Sequence, residues 1–196
     1  MAVDLIVSPL SKYWSGDYIT PVMKDAWEMG AAYNIVTPEG TKTIPEGTPY
    51  GGDDAKSERE ELVGFVEQIM DALPFEGASG AWDEKSNHFG FHRVDPDAFG
   101  ELVKRSEEQF TKKAGLFGRF KGCKDSVSHI GSALIFMPLD FDTPFDLQGK
   151  IFASLHAAKR ELDSGDWIGI PPEALQPIIE AFDEANEKNL PLVIDL

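Results

Sequence analysis

The 196 residues include 34 Asp and Glu against 18 Lys and Arg, which gives a formal charge of −16. Hydrophobic residues make up 42% of the chain and aromatic residues 11%, so the composition is that of a folded protein and excludes a disordered one. The negative charge disfavours nucleic acid as a partner, because phosphate backbones are bound mainly through Lys and Arg.

The first strand is predicted over residues 3–7, where Asp4 interrupts a short apolar run. Without a basic leader, this segment is typical of a strand rather than of a signal peptide. The longest apolar run, residues 133–137, is far shorter than the ~20 residues that a membrane helix needs. Cys123 is the only cysteine, which is typical of a reducing compartment. We therefore expect a cytoplasmic protein without a membrane segment.

The next elements are a helix and a hairpin. Thr20 followed by Pro21 predicts a helix start, since the hydroxyl caps free N–H groups and proline suits the first turn. Residues 34–37 and 41–44 flank a Pro-Glu-Gly turn and are predicted to pair. A flexible loop rich in proline and glycine is expected near residues 45–56.

A capping box of Ser57 and Glu60 predicts the start of a core helix over residues 58–73. Its apolar face is formed by residues spaced three and four apart, namely Leu62, Phe65, Val66, Ile69 and Leu73. Residues 81–83 and 88–94 are predicted to form a second hairpin. Asp95 and Pro96 then repeat the pattern of a cap followed by proline, which predicts a helix to about residue 113.

The most apolar strand is predicted over residues 133–139, at the centre of a sheet. Ile151, Phe152, Leu155 and Leu162 predict a helix that ends at Gly165. The last helix is predicted to start at Pro171 and Pro172, and residues 190–196 to form a closing strand. The sequence thus predicts an α+β fold, a mixed sheet with about five helices packed around it, in one compact domain over residues 1–196.

Two aspartates, Asp140 and Asp142, follow the predicted central strand. Ligands of open sheets collect beyond strand ends, and paired carboxylates can hold a metal bound to a nucleotide phosphate. A metal-dependent nucleotide or nucleotide-sugar enzyme using these residues is therefore the alternative hypothesis. The simpler interpretation is a solvent-exposed turn that contains the two aspartates, because no glycine-rich phosphate loop accompanies them.

The histidines favour structural roles. His88 and His92 lie on one face of a predicted strand, yet about 13 Å apart at ~3.3 Å per residue, which is too far for one metal ion. We interpret them as surface or cross-strand residues. His129 follows Ser128, but the chain has no Gly-x-Ser-x-Gly elbow that would indicate a nucleophile. We predict no catalytic residue, no metal ligand and no cofactor.

Charge is distributed unevenly along the chain. Residues 101–124 contain seven basic and three acidic residues, a local charge of +4, so the rest of the chain carries −20. On the last predicted helix, Glu173, Glu180, Glu184 and Glu187 fall in one stripe opposite the apolar side. Like charges repel along such a stripe, and a basic partner would relieve the repulsion. A solubilising surface is the alternative interpretation.

The chain resembles bacterial immunity proteins, the small neutralisers encoded with polymorphic or contact-delivered toxins. The resemblance is one of type and covers the whole chain. It rests on the size, the missing signal peptide, the acidic last helix and residues 130–141, Ile-Gly-Ser-Ala-Leu-Ile-Phe-Met-Pro-Leu-Asp-Phe. It implies a non-catalytic inhibitor that binds a cognate toxin and occludes its active site.

The charge and the resemblance together predict a toxin partner with a basic surface, met by the four glutamates of the stripe. Trp167 and Trp82 are predicted as buried aromatic anchors of that interface. The sequence does not determine the toxin's activity or the oligomeric state. A metabolic domain with a small-molecule pocket is a third hypothesis, since pockets leave little trace in one sequence.

Overall fold

The computed structural model describes residues 3–37, 40–46, 53–112, 126–147 and 149–195. The chain divides into two compact units, a larger one of Met1–Pro9 with Glu67–Leu196 and a smaller one of Leu10–Val66. Residues 113–124, the second half of the basic segment 101–124, lie outside the described residues, as do Cys123 and the centre of the predicted flexible loop. No helix of the described residues is long and apolar enough to cross a membrane.

The fold is α+β, as predicted, with a mixed sheet of six strands and six helices among the described residues. Six helices are described: α1 Leu10–Ser15, α2 Pro21–Glu28, α3 Asp53–Ala72, α4 Pro96–Phe110, α5 Leu155–Ser164 and α6 Pro172–Lys188. Eight strands are described: β1 Val3–Val7, β2 Tyr33–Thr37, β3 Gly40–Ile44, β4 Gly90–Val94, β5 Ile135–Met137, β6 Phe145–Leu147, β7 Lys150–Ser154 and β8 Leu192–Asp195.

The larger unit contains a six-stranded sheet in the order β4-β1-β8-β5-β7-β6. The sheet is mixed, because β5 and β7 run parallel while the other neighbours are antiparallel. Apolar runs form its centre: all of β5 is buried, and Leu5 and Ile6 of β1 are buried although they point to opposite faces. The central position predicted for β5 is therefore confirmed.

Helices α5 and α6 pack against each other and against the sheet of the larger unit, α5 over β5 and β7 and α6 over β1 and β4. Their starts follow from local sequence. The Ser154 hydroxyl accepts the Ala157 N–H at 3.0 Å, and α6 begins after Pro171 as predicted. The predicted cap of α4 is also confirmed, since the Asp95 carboxylate accepts the Ala98 N–H at 2.8 Å.

Two predicted elements of the larger unit are wrong. Residues 81–83 form no strand, and β4 pairs with β1 instead. The reason is local turn chemistry, because the Asp83 carboxylate accepts the Lys85 N–H at 2.9 Å and bends the chain there. The helix predicted from Ile151 begins only at Leu155. Residues 150–154 form β7, where Phe152 pairs with Ile135 of the central strand.

The smaller unit contains α1, α2, the β2–β3 hairpin and the first part of α3. The predicted hairpin and the predicted cap of α2 are confirmed; the Thr20 hydroxyl accepts the Met23 N–H at 3.2 Å. Helix α3 starts at Asp53, earlier than predicted, so the end of the predicted loop is helical and Ser57 is not a cap. Val66 is buried as predicted, but Phe65 is exposed.

Candidate partner-binding surface

Helix α6 of the larger unit carries the predicted acidic stripe. Ile178 and Phe182 are fully buried on its inner side, so the residues half a turn away face solvent. Glu173, Glu180 and Glu187 are exposed, as a partner-binding role requires. We call these three residues the α6 acidic face.

Neighbouring side chains of α6 hold two of these carboxylates in place. Glu180 accepts a hydrogen bond from the Gln176 amide at 2.9 Å. The Lys188 ammonium donates to Glu187 at 2.8 Å, and this hydrogen bond lowers the pKa of Glu187. Asp183, which the sequence analysis did not select, lies 3.2 Å from the Lys159 ammonium and adds a further carboxylate to the outer side of the helix.

Glu184, the fourth glutamate of the predicted stripe, has a different environment. Its side chain is only 25% exposed and is bound by two histidines. The Nε2 atoms of His88 and His92 donate to its two carboxylate oxygens at 2.9 and 2.5 Å. The carboxylate is therefore already engaged within the protein, and an assignment of Glu184 to the partner-binding rim does not fit this environment.

Gly90 explains how one carboxylate reaches both imidazoles. His88, Gly90 and His92 alternate along the chain, so they face the same side of the extended segment. A Cβ atom at Gly90 would lie 2.3 Å from Oε2 of Glu184, which shows that the carboxylate occupies the space left by the missing side chain. The pattern His-x-Gly-x-His in the sequence could have indicated that these two imidazoles share a partner. No residue near it in the sequence indicates that the partner is a glutamate of α6.

The two predicted tryptophan anchors are largely engaged inside the larger unit. Trp82 is 4% exposed, and its indole N–H donates to Glu84. Trp167 is partly buried, with its indole N–H donating to the Leu162 carbonyl at 2.7 Å and its ring covering Gly165 at the end of α5. Trp82 is therefore buried within the unit, whereas Trp167 is only partly covered by it.

The six predicted partner-binding residues do not gather at one point. The Asn189 amide after α6 donates to the Ala81 carbonyl at 2.7 Å, which places Trp82 beside the C-terminal end of the helix. Trp167 comes shortly before the N-terminal end. Seventeen helical residues span about 25 Å at 1.5 Å per residue. The predicted residues therefore extend along the whole of α6, from Glu173 in its first turn to Glu187 in its last.

A buried polar cluster that the sequence analysis missed is centred on Glu161 of α5. This carboxylate accepts the backbone N–H groups of His129 and Ile130 at 2.8 and 3.1 Å. It also accepts the hydroxyls of Ser106 and Ser128 at 3.1 and 2.9 Å. The neighbouring residues in the sequence do not distinguish Glu161 from a helical glutamate that faces solvent, so its burial could not be predicted. Its contacts indicate a structural role, tying α4 and residues 128–130 to α5.

His129 is buried beside this cluster but does not activate a serine. Its Nδ1 accepts the Ser154 N–H at 3.0 Å, while the Ser128 hydroxyl is directed to Glu161. Burial lowers the pKa of His129, partly offset by the charge of Glu161. The contacts are those of a neutral core histidine, so the arrangement contains no Ser-His-acid relay.

The aspartates of the enzyme hypothesis lie on the surface. Asp140 forms an exposed ion pair with Arg160 at 2.9 Å, and Asp142 is exposed. Among the described residues, no group of three or more His, Cys, Asp or Glu side chains is placed to hold a metal ion. A metal ion at Asp140 would have to compete with the guanidinium of Arg160 for the carboxylate. The hypothesis of a metal-dependent enzyme is not tested by these contacts and stays a prediction.

Comparisons with known proteins identify no relative: no family model, curated protein or solved structure matches the chain. Among the described residues of the larger unit, the carboxylates of Glu161 and Glu184 are engaged in internal hydrogen bonds, whereas the α6 acidic face is exposed.

Proposed function

We propose that the protein is a non-catalytic inhibitor of the immunity-protein type, which binds a cognate toxin domain with a basic surface and occludes its active site. It acts in the cytoplasm of the cell that makes it. Its carboxylates take the place of an anionic substrate of the toxin. The observation that carries the proposal is the α6 acidic face, three exposed glutamates of which only Glu187 is paired with a lysine, on a chain with a formal charge of −16.

The anchoring of α6 supports this function. The helix is fixed by buried apolar side chains and by its contacts with β1 and β4. Its exposed carboxylates are therefore presented on a rigid element, which lowers the entropy lost when a partner binds. Opposite potentials also accelerate encounter, and fast association is what an inhibitor of a lethal enzyme requires.

The experiment first asks whether the adjacent upstream reading frame encodes a large secreted protein with a variable C-terminal domain, and then measures association of the chain with that domain. Stopped-flow binding is recorded for the parent and for the triple variant Glu173→Lys, Glu180→Lys, Glu187→Lys. The matched control is Glu76→Lys, Glu108→Lys, Asp142→Lys, three exposed acidic residues elsewhere in the larger unit. Both variants change the formal charge by the same amount.

We expect the α6 variant to associate about tenfold or more slowly at low salt and to lose most of the salt dependence of its on-rate. The control variant should lose less, because its charges lie away from the contact surface. Equal on-rates for the two variants would contradict the placement on α6. If the purified toxin domain neither binds the parent at 1:1 stoichiometry nor loses activity, the proposed function is wrong.

A further inference from the structure

The loop between α5 and α6 of the larger unit exposes an isoleucine. Ile168 is 75% exposed. Among the described residues of that unit, one other large hydrophobic side chain is exposed, Leu134 at 38%. Such single residues are ordinary on a protein surface, so exposure alone assigns Ile168 no role. What distinguishes it is the segment that carries it, residues 165–171, which we call the α5–α6 loop.

Hydrogen bonds to α4 and α5 fix the residues before Ile168. The Gln109 amide of α4 donates to the Asp166 carbonyl at 3.0 Å, and the Gln109 Oε1 accepts the Asp166 N–H at 2.8 Å. The Trp167 indole N–H donates to the Leu162 carbonyl of α5 at 2.7 Å. The chain is therefore held to two helices immediately before Ile168, while the Ile168 side chain stays in solvent.

The turn around Ile168 is also stabilised from within the loop. The Asp166 carboxylate accepts the Ile168 N–H at 3.1 Å, and the Ile170 N–H donates to the Trp167 carbonyl at 3.0 Å. Gly169 has a φ of 95°, a conformation that favours glycine. A loop ordered in this way displays its exposed side chain in one place before a partner arrives, which lowers the entropy lost on binding.

Charge indicates which partner the loop fits. Residues 163–173 contain three acidic residues and no basic one. Two basic side chains near the loop are ion-paired with acidic neighbours, namely Lys159 with Asp163 and Arg105 with Glu101. Among the described residues, Asp166 and Glu173 form no ion pair, and both are exposed. The charge that the loop and the start of α6 offer to a partner is therefore negative.

Ile168 lies close enough to the α6 acidic face for one partner to cover both. Glu173 of that face follows it by five positions, so the two Cα atoms are at most ~18 Å apart. A standard interface covers about 800 Å² of each partner, a patch roughly 30 Å across. A second copy of this chain would bring another −16, and an anionic lipid surface would also be repelled. A basic protein is attracted by the same charges.

We propose that Ile168 is the apolar anchor of the interface with a basic partner protein. Its side chain enters an apolar pocket of that protein, and Asp166 and Glu173 pair with basic residues around the pocket. The inference rests on the proposed function and adds to it the hydrophobic contact that the buried Trp82 does not offer. Gln109 is a positioning residue, which acts through the α5–α6 loop.

The experiment begins by identifying what contacts the loop in the cell. The photo-crosslinking residue p-benzoylphenylalanine is placed at positions 168 and 180 and, as the control, at position 76, where Glu76 is exposed elsewhere in the larger unit. We expect positions 168 and 180 to capture the same protein, with a pI above neutrality, and position 76 not to capture it. A crosslink from position 168 to a second copy of this chain, to an acidic protein or to nothing would each overturn the proposal, as would an equal crosslink from position 76.

The second step measures the affinity of the chain for the purified, captured protein. We expect Ile168→Ala to raise the Kd about 30-fold, because the isoleucine side chain is buried on binding, and Ile168→Val to raise it about threefold. Glu76→Ala should change the Kd less than twofold. Since Ile168 is exposed in the free protein, its variants should keep the urea midpoint of the parent. An unchanged Kd for Ile168→Ala would overturn the proposal.

A third step tests whether the loop is positioned by Gln109. We expect Gln109→Ala to raise the Kd about fivefold, because the released loop has to be ordered on binding, and to change it less than twofold in the Ile168→Ala background. An equal loss in both backgrounds would overturn the positioning role. If Gln109→Ala does not fold, Gln109→Glu, which keeps the acceptor for the Asp166 N–H and loses the donor, is measured with the same expectation.

Failure of this inference is distinguishable from failure of the proposed function. If position 180 captures the basic toxin domain and Ile168→Ala leaves its Kd unchanged, the Ile168 anchor is wrong and the immunity function stands. If positions 168 and 180 capture a basic protein whose activity the chain does not inhibit, the Ile168 anchor stands and the immunity function is wrong.

Discussion

The imidazole of His92 donates to the carboxylate of Glu184 across 2.5 Å, joining the edge strand β4 to the last helix. His88 donates to the other oxygen of the same carboxylate at 2.9 Å. One side chain of α6 thereby fixes two residues about 90 positions earlier in the chain. The contact makes Glu184 part of the internal structure, whereas Glu180 and Glu187 on the same helix stay exposed.

Removing this carboxylate should destabilise the larger unit. We expect Glu184→Ala to lower the free energy of unfolding by about 1–3 kcal/mol, because two partly buried donors lose their acceptor. The measurement is urea unfolding followed by circular dichroism. Glu180→Ala is the matched control, since it removes an exposed carboxylate from the same helix and should change stability by about 0.5 kcal/mol or less. Equal effects of the two substitutions would contradict the assignment.

Gly90→Ala tests the space that the Glu184 carboxylate occupies. A new Cβ atom would lie 2.3 Å from Oε2, so the flexible side chain has to move and both hydrogen bonds are lost. We expect a cost of about 1–2 kcal/mol in the parent and little or none in the Glu184→Ala background. The double-mutant cycle measures this coupling by urea unfolding. Additive costs would show that Gly90 matters for another reason.

Glu161→Gln should be more damaging than any change on the α6 acidic face. The carboxylate accepts two backbone N–H groups and two hydroxyls, and the substituted amide brings an NH₂ group among these donors. We expect a loss of about 3 kcal/mol or more, measured by thermal and urea unfolding. Glu173→Gln, an exposed helical residue, is the control. A small loss for Glu161→Gln would mean that the cluster reorganises at low cost.

His129 should make stability fall on acidification. Burial lowers its pKa from the ordinary value of 6.5, so below that pH the unfolded chain binds a proton that the folded chain does not. The free energy of unfolding therefore falls as the pH drops from about 6.5 towards the folded-state pKa, which means that stability rises with pH across that window. We expect His129→Asn, whose Oδ1 can still accept the Ser154 N–H, to flatten this dependence. If the free energy of unfolding of the variant depended on pH between 5 and 6.5 as steeply as that of the parent, the prediction would be contradicted.

Local signals in the sequence predicted much of the fold. The caps at Thr20 and Asp95 and the proline start of α6 depend on neighbouring residues, and they were confirmed. The apolar run of β5 indicated a buried central strand because a strand buried on both faces has no polar alternation. The two wrong elements, at residues 81–83 and 150–154, are short apolar segments, for which strand, turn and helix patterns overlap and tertiary pairing decides.

The candidate surface was predicted only in part. Helical periodicity alone placed Glu173, Glu180 and Glu187 opposite the buried side of α6, and the structure exposes all three. Periodicity could not show that Glu184 meets His88 and His92, because that contact depends on the packing of α6 over β4. For the same reason it could not distinguish the engaged Trp82 from the exposed Trp27.

The sequence by itself determined the acidity, the starts of α2, α4 and α6, the central strand and the side of α6 that carries charge, because each depends on composition or on neighbouring residues in the chain. Only the tertiary structure decided which polar groups are engaged. The Glu161 cluster and the Glu184–histidine contacts join residues far apart in the chain, and burial there demands partners that no local pattern specifies. In the larger unit, the α6 acidic face is not used by these contacts and stays exposed.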